Sequence, residues 1–149
     1  MDDAKRNLKG SEKRDVFKRK HKDLNNRYYA SDADLCLIDK YPPGVVAYID
    51  YKGSGEPITF AEVILYNEWL KQAPVFIVEG RDPENGPFKI KRYLGGNWKP
   101  NPCETILETI EEISDWSCFA EWEGKLRNAY RSRNGWNGKL RNIPYEYKA

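Results

Sequence analysis

One histidine and three cysteines are all that 149 residues offer to a zinc ion. Cys36, Cys103 and Cys118 are scattered, odd in number, and nowhere form a C-x-x-C pair. A structural zinc needs four closely spaced nitrogen or sulfur ligands, so this set argues against one. It argues equally against a disulfide framework, and the thiols read as free and inert in a reducing compartment. No stretch approaches the about 18 apolar residues of a membrane span. The opening "MDDAKRNLKGSEKRDVFKRKHK" lacks the apolar core of a secretory signal. The expectation is a cytoplasmic protein with no membrane partner.

What is present is charge, 32% of residues, beside 40% apolar residues. That balance suits a packed domain rather than a disordered chain. One domain spanning 1–149 is expected, with 1–10 and 132–149 peripheral. Net charge is +2, unevenly placed. Residues 1–29 carry ten Lys/Arg against five Asp/Glu, and 125–149 carry seven against one. Between them, 103–123 has seven acids and no base. Basic ends suit a polyanion partner, because neutralising phosphate drives such binding. Solvated tails and a solvated helix face would leave the same pattern, so charge alone names no partner.

Along the chain, "SEKRDVFKRKHKDL" (11–24) reads as a surface helix with thin apolar content. "DADLCLID" and "VVAYIDYK" read as an antiparallel hairpin around "YPPG". "TFAEVILYNEWLKQ" reads as a helix with a Thr59–Glu62 capping box and an apolar stripe of Phe60, Val63, Ile64 and Leu70. "VFIVEG" is a short buried strand, parallel to the one before the helix. "FKIKRYL" alternates like an exposed edge strand. Asn101, Pro102 and Glu104 open an expected helix to about Ile113, and a further helix covers 116–131. Trp69, Trp116 and Trp122 are expected in the packing. The order αββαββαα is an α/β class fold, α+β with a mixed sheet.

The stretch "AYIDYKGSG" (47–55) stands out, because an apolar strand ends in an acid and a lysine on one face. Asp34 opens the first hairpin strand. If Pro42-Pro43-Gly44 is a three-residue loop, Asp34 faces Lys52, with Asp50 on the diagonal about 7–8 Å away. Two carboxylates at that separation can share Mg²⁺, a hard cation that keeps several waters. Asp32 sits on the same face, and a turn or capping role suits it better. The bland reading of Asp50 and Lys52 is a salt bridge near a sheet end.

The pattern D-x15-D-x-K, on a hairpin followed by a helix and a strand, resembles the PD-(D/E)XK nuclease superfamily. "RYYASDADLCLIDKYPPGVVAYIDYK" is similar to the corresponding stretch of its small phage and bacterial members. The resemblance covers residues 12–80. It implies a restriction-endonuclease-like αβββαβ core, followed here by C-terminal helices. It implies an endonuclease with Mg²⁺ or Mn²⁺ as cofactor and nucleic acid, DNA above all, as substrate. Asp34, Asp50 and Lys52 would be catalytic. Asp34, Asp50, the backbone carbonyl of Tyr51 and Glu12 would be the metal ligands. Lys52 would orient or deprotonate water, or neutralise developing charge. Lys18, Arg19, Lys20, His21 and Arg27 would track the nucleic-acid backbone. Trp98, Trp136 and Tyr145 could stack on unpaired bases. Homodimers are common among relatives that cut both strands. The alternatives are a non-catalytic nucleic-acid-binding module or a protein-interaction domain on the same fold.

Overall fold

The computed structural model describes residues 12, 13, 15, 16, 20 and 34–135. The chain divides into two compact units, Met1–Ala30 and Ser31–Ala149. In the first, the described residues are helical and exposed, as expected for a basic helix with few apolar positions. Lys18, Arg19, His21, Arg27, Asp32, Trp136 and Tyr145 lie outside the described residues.

The second unit holds a five-stranded mixed sheet, ordered β1-β2-β3-β4-β5. Its strands are β1 (Leu35–Lys40), β2 (Pro43–Gly53), β3 (Val75–Gly80), β4 (Phe88–Asn97) and β5 (Glu104–Ile113). Helix α1 (Phe60–Leu70) joins β2 to β3, and α2 (Trp116–Arg133) follows β5. β2 and β3 run parallel and every other neighbouring pair is antiparallel. That confirms the α/β class, the hairpin, the crossover and both of these helices. Each face of the sheet carries a helix. Ala47, Ile49, Phe76, Val78, Phe88 and Ile90 pack with Phe119 and Trp122 of α2. Val75, Ile77 and Tyr93 pack with Tyr66 of α1. Val75–Val78 of β3 is buried on both faces, which explains its unbroken apolar run.

The capping box of α1 is formed: Glu62 N–H donates to Thr59 Oγ1 at 3.3 Å, and Thr59 N–H to Glu62 Oε1 at 2.9 Å. The buried stripe differs from the expected one. Val63 and Tyr66 are fully buried, whereas Phe60 and Ile64 are exposed. Tyr66 combines ring burial with a hydroxyl that finds polar partners, so hydropathy alone underrates it. Trp122 is buried, Trp69 half-buried and Trp116 exposed, its indole N–H donating to the Pro83 carbonyl at 3.0 Å.

Two elements correct the sequence expectation. Residues 104–113 form β5, not a helix. β4 is consequently an inner strand rather than an edge. The two are complementary in charge: Lys89 lies opposite Glu112, and Arg92 opposite Glu108. Cross-strand pairs of this kind favour pairing over a solitary acidic helix. The hairpin also closes differently. Lys40 pairs with Pro43, so the connection is the two residues Tyr41-Pro42. A bulge between Leu37 and Ile38 then leaves Val46 without an opposite number.

Candidate functional site

β2 runs with Tyr48, Asp50 and Lys52 toward α1, and Ala47, Ile49 and Tyr51 toward α2. Burial of the α1 face is what makes Asp50 and Lys52 unusual. They are 4% and 5% exposed, the buried charged residues of the core. The strand ends here at Gly53, beside the first turn of α1, so both side chains meet the helix.

The register sets Leu35 opposite Ile49, which brings Asp34, one residue outside β1, level with Asp50. The expected facing of Asp34 with Lys52 is therefore corrected by two positions, a product of the shorter turn and the bulge. Asp34 and Asp50 do come together. The Asp34 N–H donates to Asp50 Oδ1 at 3.1 Å, and Asp34 Oδ2 accepts the Tyr51 N–H at 2.6 Å. The even residues of β2 turn their N–H groups toward β3, as Tyr48 N–H does to the Pro74 carbonyl. Tyr51 therefore turns its N–H, and with it its carbonyl, toward Asp34. Three oxygen-bearing groups named from the sequence thus converge at the open end of the hairpin.

Two further residues, from α1, complete the site. The Tyr66 hydroxyl donates to Asp50 Oδ2 in a short hydrogen bond and lies 3.3 Å from Glu62 Oε2. Glu62 Oε2 accepts the Lys52 ammonium, which also reaches Glu56 Oε2 at 3.3 Å. A continuous chain, Asp50–Tyr66–Glu62–Lys52, therefore crosses from strand to helix and back. The sequence showed Glu62 only as a capping partner and gave Tyr66 no role. Their four-residue spacing, one helical turn, was the available signal.

The electrostatics follow from this wiring. Burial pushes the Asp50 carboxyl above its ordinary value, against the opposing pull of Tyr66 and the Asp34 N–H. Burial alone would lower Lys52, but the bonds to Glu62 and Glu56 outweigh it and hold the ammonium above the usual lysine range. Glu62 is the mirror case: burial raises it, Lys52 and the cap lower it, and the net direction is down. Tyr66 is pushed far up, by burial and by the two carboxylates, so it stays a donor.

Charge does not balance here. Four carboxylates (Asp34, Asp50, Glu56, Glu62) face a single ammonium, and that ammonium is bonded to the two glutamates. Among the described residues no Lys or Arg bonds Asp34 or Asp50. No group of three or more His, Cys, Asp or Glu side chains able to hold a metal is present among them either. A cation at the hairpin end would have two carboxylates, the Tyr51 carbonyl and water, a hard-oxygen set that suits Mg²⁺ or Mn²⁺ rather than zinc.

Of the other residues named from the sequence, Glu12 and Lys20 are helical and exposed in the first unit. Trp98 is 45% exposed in the β4–β5 connection. No helix among the described residues is long and apolar enough to cross a membrane. Compared with protein-family models, curated proteins and solved structures, the chain matches none of them.

Proposed function

We propose that the chain is a divalent-metal-dependent nuclease that hydrolyses phosphodiester bonds in nucleic acid, with DNA the expected substrate. The observation that carries this reading is Asp50. It is a carboxylate in the core with no cationic partner among the described residues, beside a second carboxylate at an open strand end. Buried charge is normally paired or metal-bound, because losing water costs more than neutral donors return.

Asp50 and Asp34 would hold the cation, with the Tyr51 carbonyl as a third protein ligand. Bound there, a divalent ion supplies a Lewis acid and an activated water. The chain's own contribution is orientation. Tyr66 and the Asp34 N–H fix the Asp50 carboxyl, and Asp34 in turn is fixed on Tyr51. Lys52 is held protonated, which disfavours its taking a proton from water and leaves an electrostatic role toward phosphate. Reaching a phosphate means leaving Glu56, the more exposed partner, while keeping Glu62.

One observation favours a second reading. Lys52 already has two carboxylate partners, as a purely structural ion pair would, in a non-catalytic nucleic-acid-binding or protein-interaction domain. A cleavage panel separates the two: plasmid, single-stranded and branched DNA with Mg²⁺ or Mn²⁺, for wild type, Asp50→Asn and Lys52→Ala. The nuclease reading expects metal-dependent cutting by wild type and none by either variant, with Asp50→Asn still folded. Salt-sensitive binding without cutting, unchanged in Asp50→Asn, would favour the second.

A further inference from the structure

The face that carries Asp50 and Lys52 continues across the sheet as a row of alternating charge. Lys52 on β2 is level with Glu79 on β3, Glu79 with Lys89 on β4, and Lys89 with Glu112 on β5. The row leads into a groove of about 250 Å³ lined by Ser54, Glu79, Arg81, Pro87, Lys89 and Glu112. The groove starts immediately beyond the site: Ser54 lies two residues past Lys52, and its N–H donates to the Gly80 carbonyl at 3.1 Å. It lies off the C-terminal ends of the parallel pair β2 and β3, where α/β sheets commonly open to ligands.

The charges in the groove are not equally committed. Glu79 is neutralised by Lys91 at 2.8 Å, with both side chains 23% exposed. Lys89 and Glu112 are separated by 4.0 Å and are 46% and 75% exposed, a loose surface pair that an incoming anion can replace at little cost. Arg81 is exposed and has no hydrogen-bond or ion-pair partner among the described residues. Two cations are thus available to a ligand. Glu112 is the acid that competes with it.

We infer that this groove binds the phosphate backbone of the nucleic-acid strand flanking the candidate site, with Arg81 and Lys89 as its contacts and Glu112 as an opposing charge. The inference rests on the nuclease reading and adds a substrate path to it. Arg81 offers a planar fork to a phosphate and Lys89 a point charge. Their placement beyond Lys52 orders the strand from groove to site.

The test is fluorescence anisotropy of a labelled DNA oligonucleotide, with Ca²⁺ in place of Mg²⁺, over a series of salt concentrations. Arg81→Glu/Lys89→Glu is expected to weaken binding about ten-fold or more and to flatten the salt dependence by about one counterion per lost contact. Glu112→Lys is expected to tighten it, an effect that misfolding does not imitate. Wild-type binding with all variants unchanged would overturn the groove and leave the nuclease reading standing. No wild-type binding to any DNA form would overturn both.

Discussion

Asp50 is a carboxylate whose burial opposes its own charge. Its native carboxyl takes up a proton more readily than the unfolded chain's, so its ionisation lowers stability as the pH rises above the ordinary value of 3.8. Asp50→Asn is therefore expected to raise stability at neutral pH by on the order of 1 kcal/mol, since Tyr66 can reorient its hydroxyl toward Glu62. If Asp50 holds the proposed cation, Mn²⁺ is expected to raise the melting temperature of wild type and not that of this variant. Thermal melts with and without Mn²⁺ check both, and an equal metal response in the two proteins would remove Asp50 from the ligand set. Glu62 works in the opposite sense. Its native pKa lies below 4.5, so its contribution is complete above that value and is lost as the pH falls through the lowered one. Glu62→Ala leaves the buried Lys52 with only the exposed Glu56 and removes half of the capping box, at a cost of roughly 3 kcal/mol in urea denaturation at neutral pH. In Glu62→Gln, the part of the acid-side slope that Glu62 contributes should disappear. At this scale the sequence showed which residue types matter but not who holds whom. Asp34, Asp50 and Lys52 share a strand end, whereas Tyr66 and Glu62, which bond Asp50 and Lys52, come from a helix ten or more residues on.

The elements of the second unit are joined at one corner by α2. Arg131 Nε donates to Asp39 Oδ2 at 2.6 Å and its Nη2 to Asp39 Oδ1 at 2.9 Å, while its guanidinium lies 4.8 Å from the Tyr41 ring centroid. Tyr130 donates to the Pro42 carbonyl at 2.7 Å, and a side chain on Gly44 would collide with that hydroxyl. The Arg131 bond holds Asp39 below the usual carboxylate range. Arg131→Ala is expected to cost about 2 kcal/mol and Tyr130→Phe about 1 kcal/mol, measured by chemical denaturation. A loss under 0.5 kcal/mol for Arg131→Ala, by the same order-of-magnitude scale, would show that the turn holds itself. The apolar runs made β2, β3, α1 and α2 legible, because burial on one or two faces leaves a periodic trace. β5 was not legible from its own residues. Its acids answer a basic strand, a match that shows only once the two are set side by side.

The second unit is a sheet between two helices, and its interior stability should grade outward from β3. Amide hydrogen exchange is expected to be slowest at Val75–Val78, which is covered on both faces and flanked on both sides, and faster in β5 at the edge. Comparable protection across β5 would mean that its exposed Ile106 and Ile110 are covered in solution. The broad class could be read in advance, since alternating strand and helix patterns admit few layer arrangements. The hairpin register could not, because a turn of two residues or three leaves the same apolar pattern behind. The shorter turn by itself would have offset the two strands by an odd number, and Val46, set aside by the bulge, makes the offset even again. Were the strands to pair without that bulge and with Val46 retained, Asp34 would fall level with Ile49 and turn away from the face of Asp50. The bulge at Val46 therefore decides whether the two acids share a face.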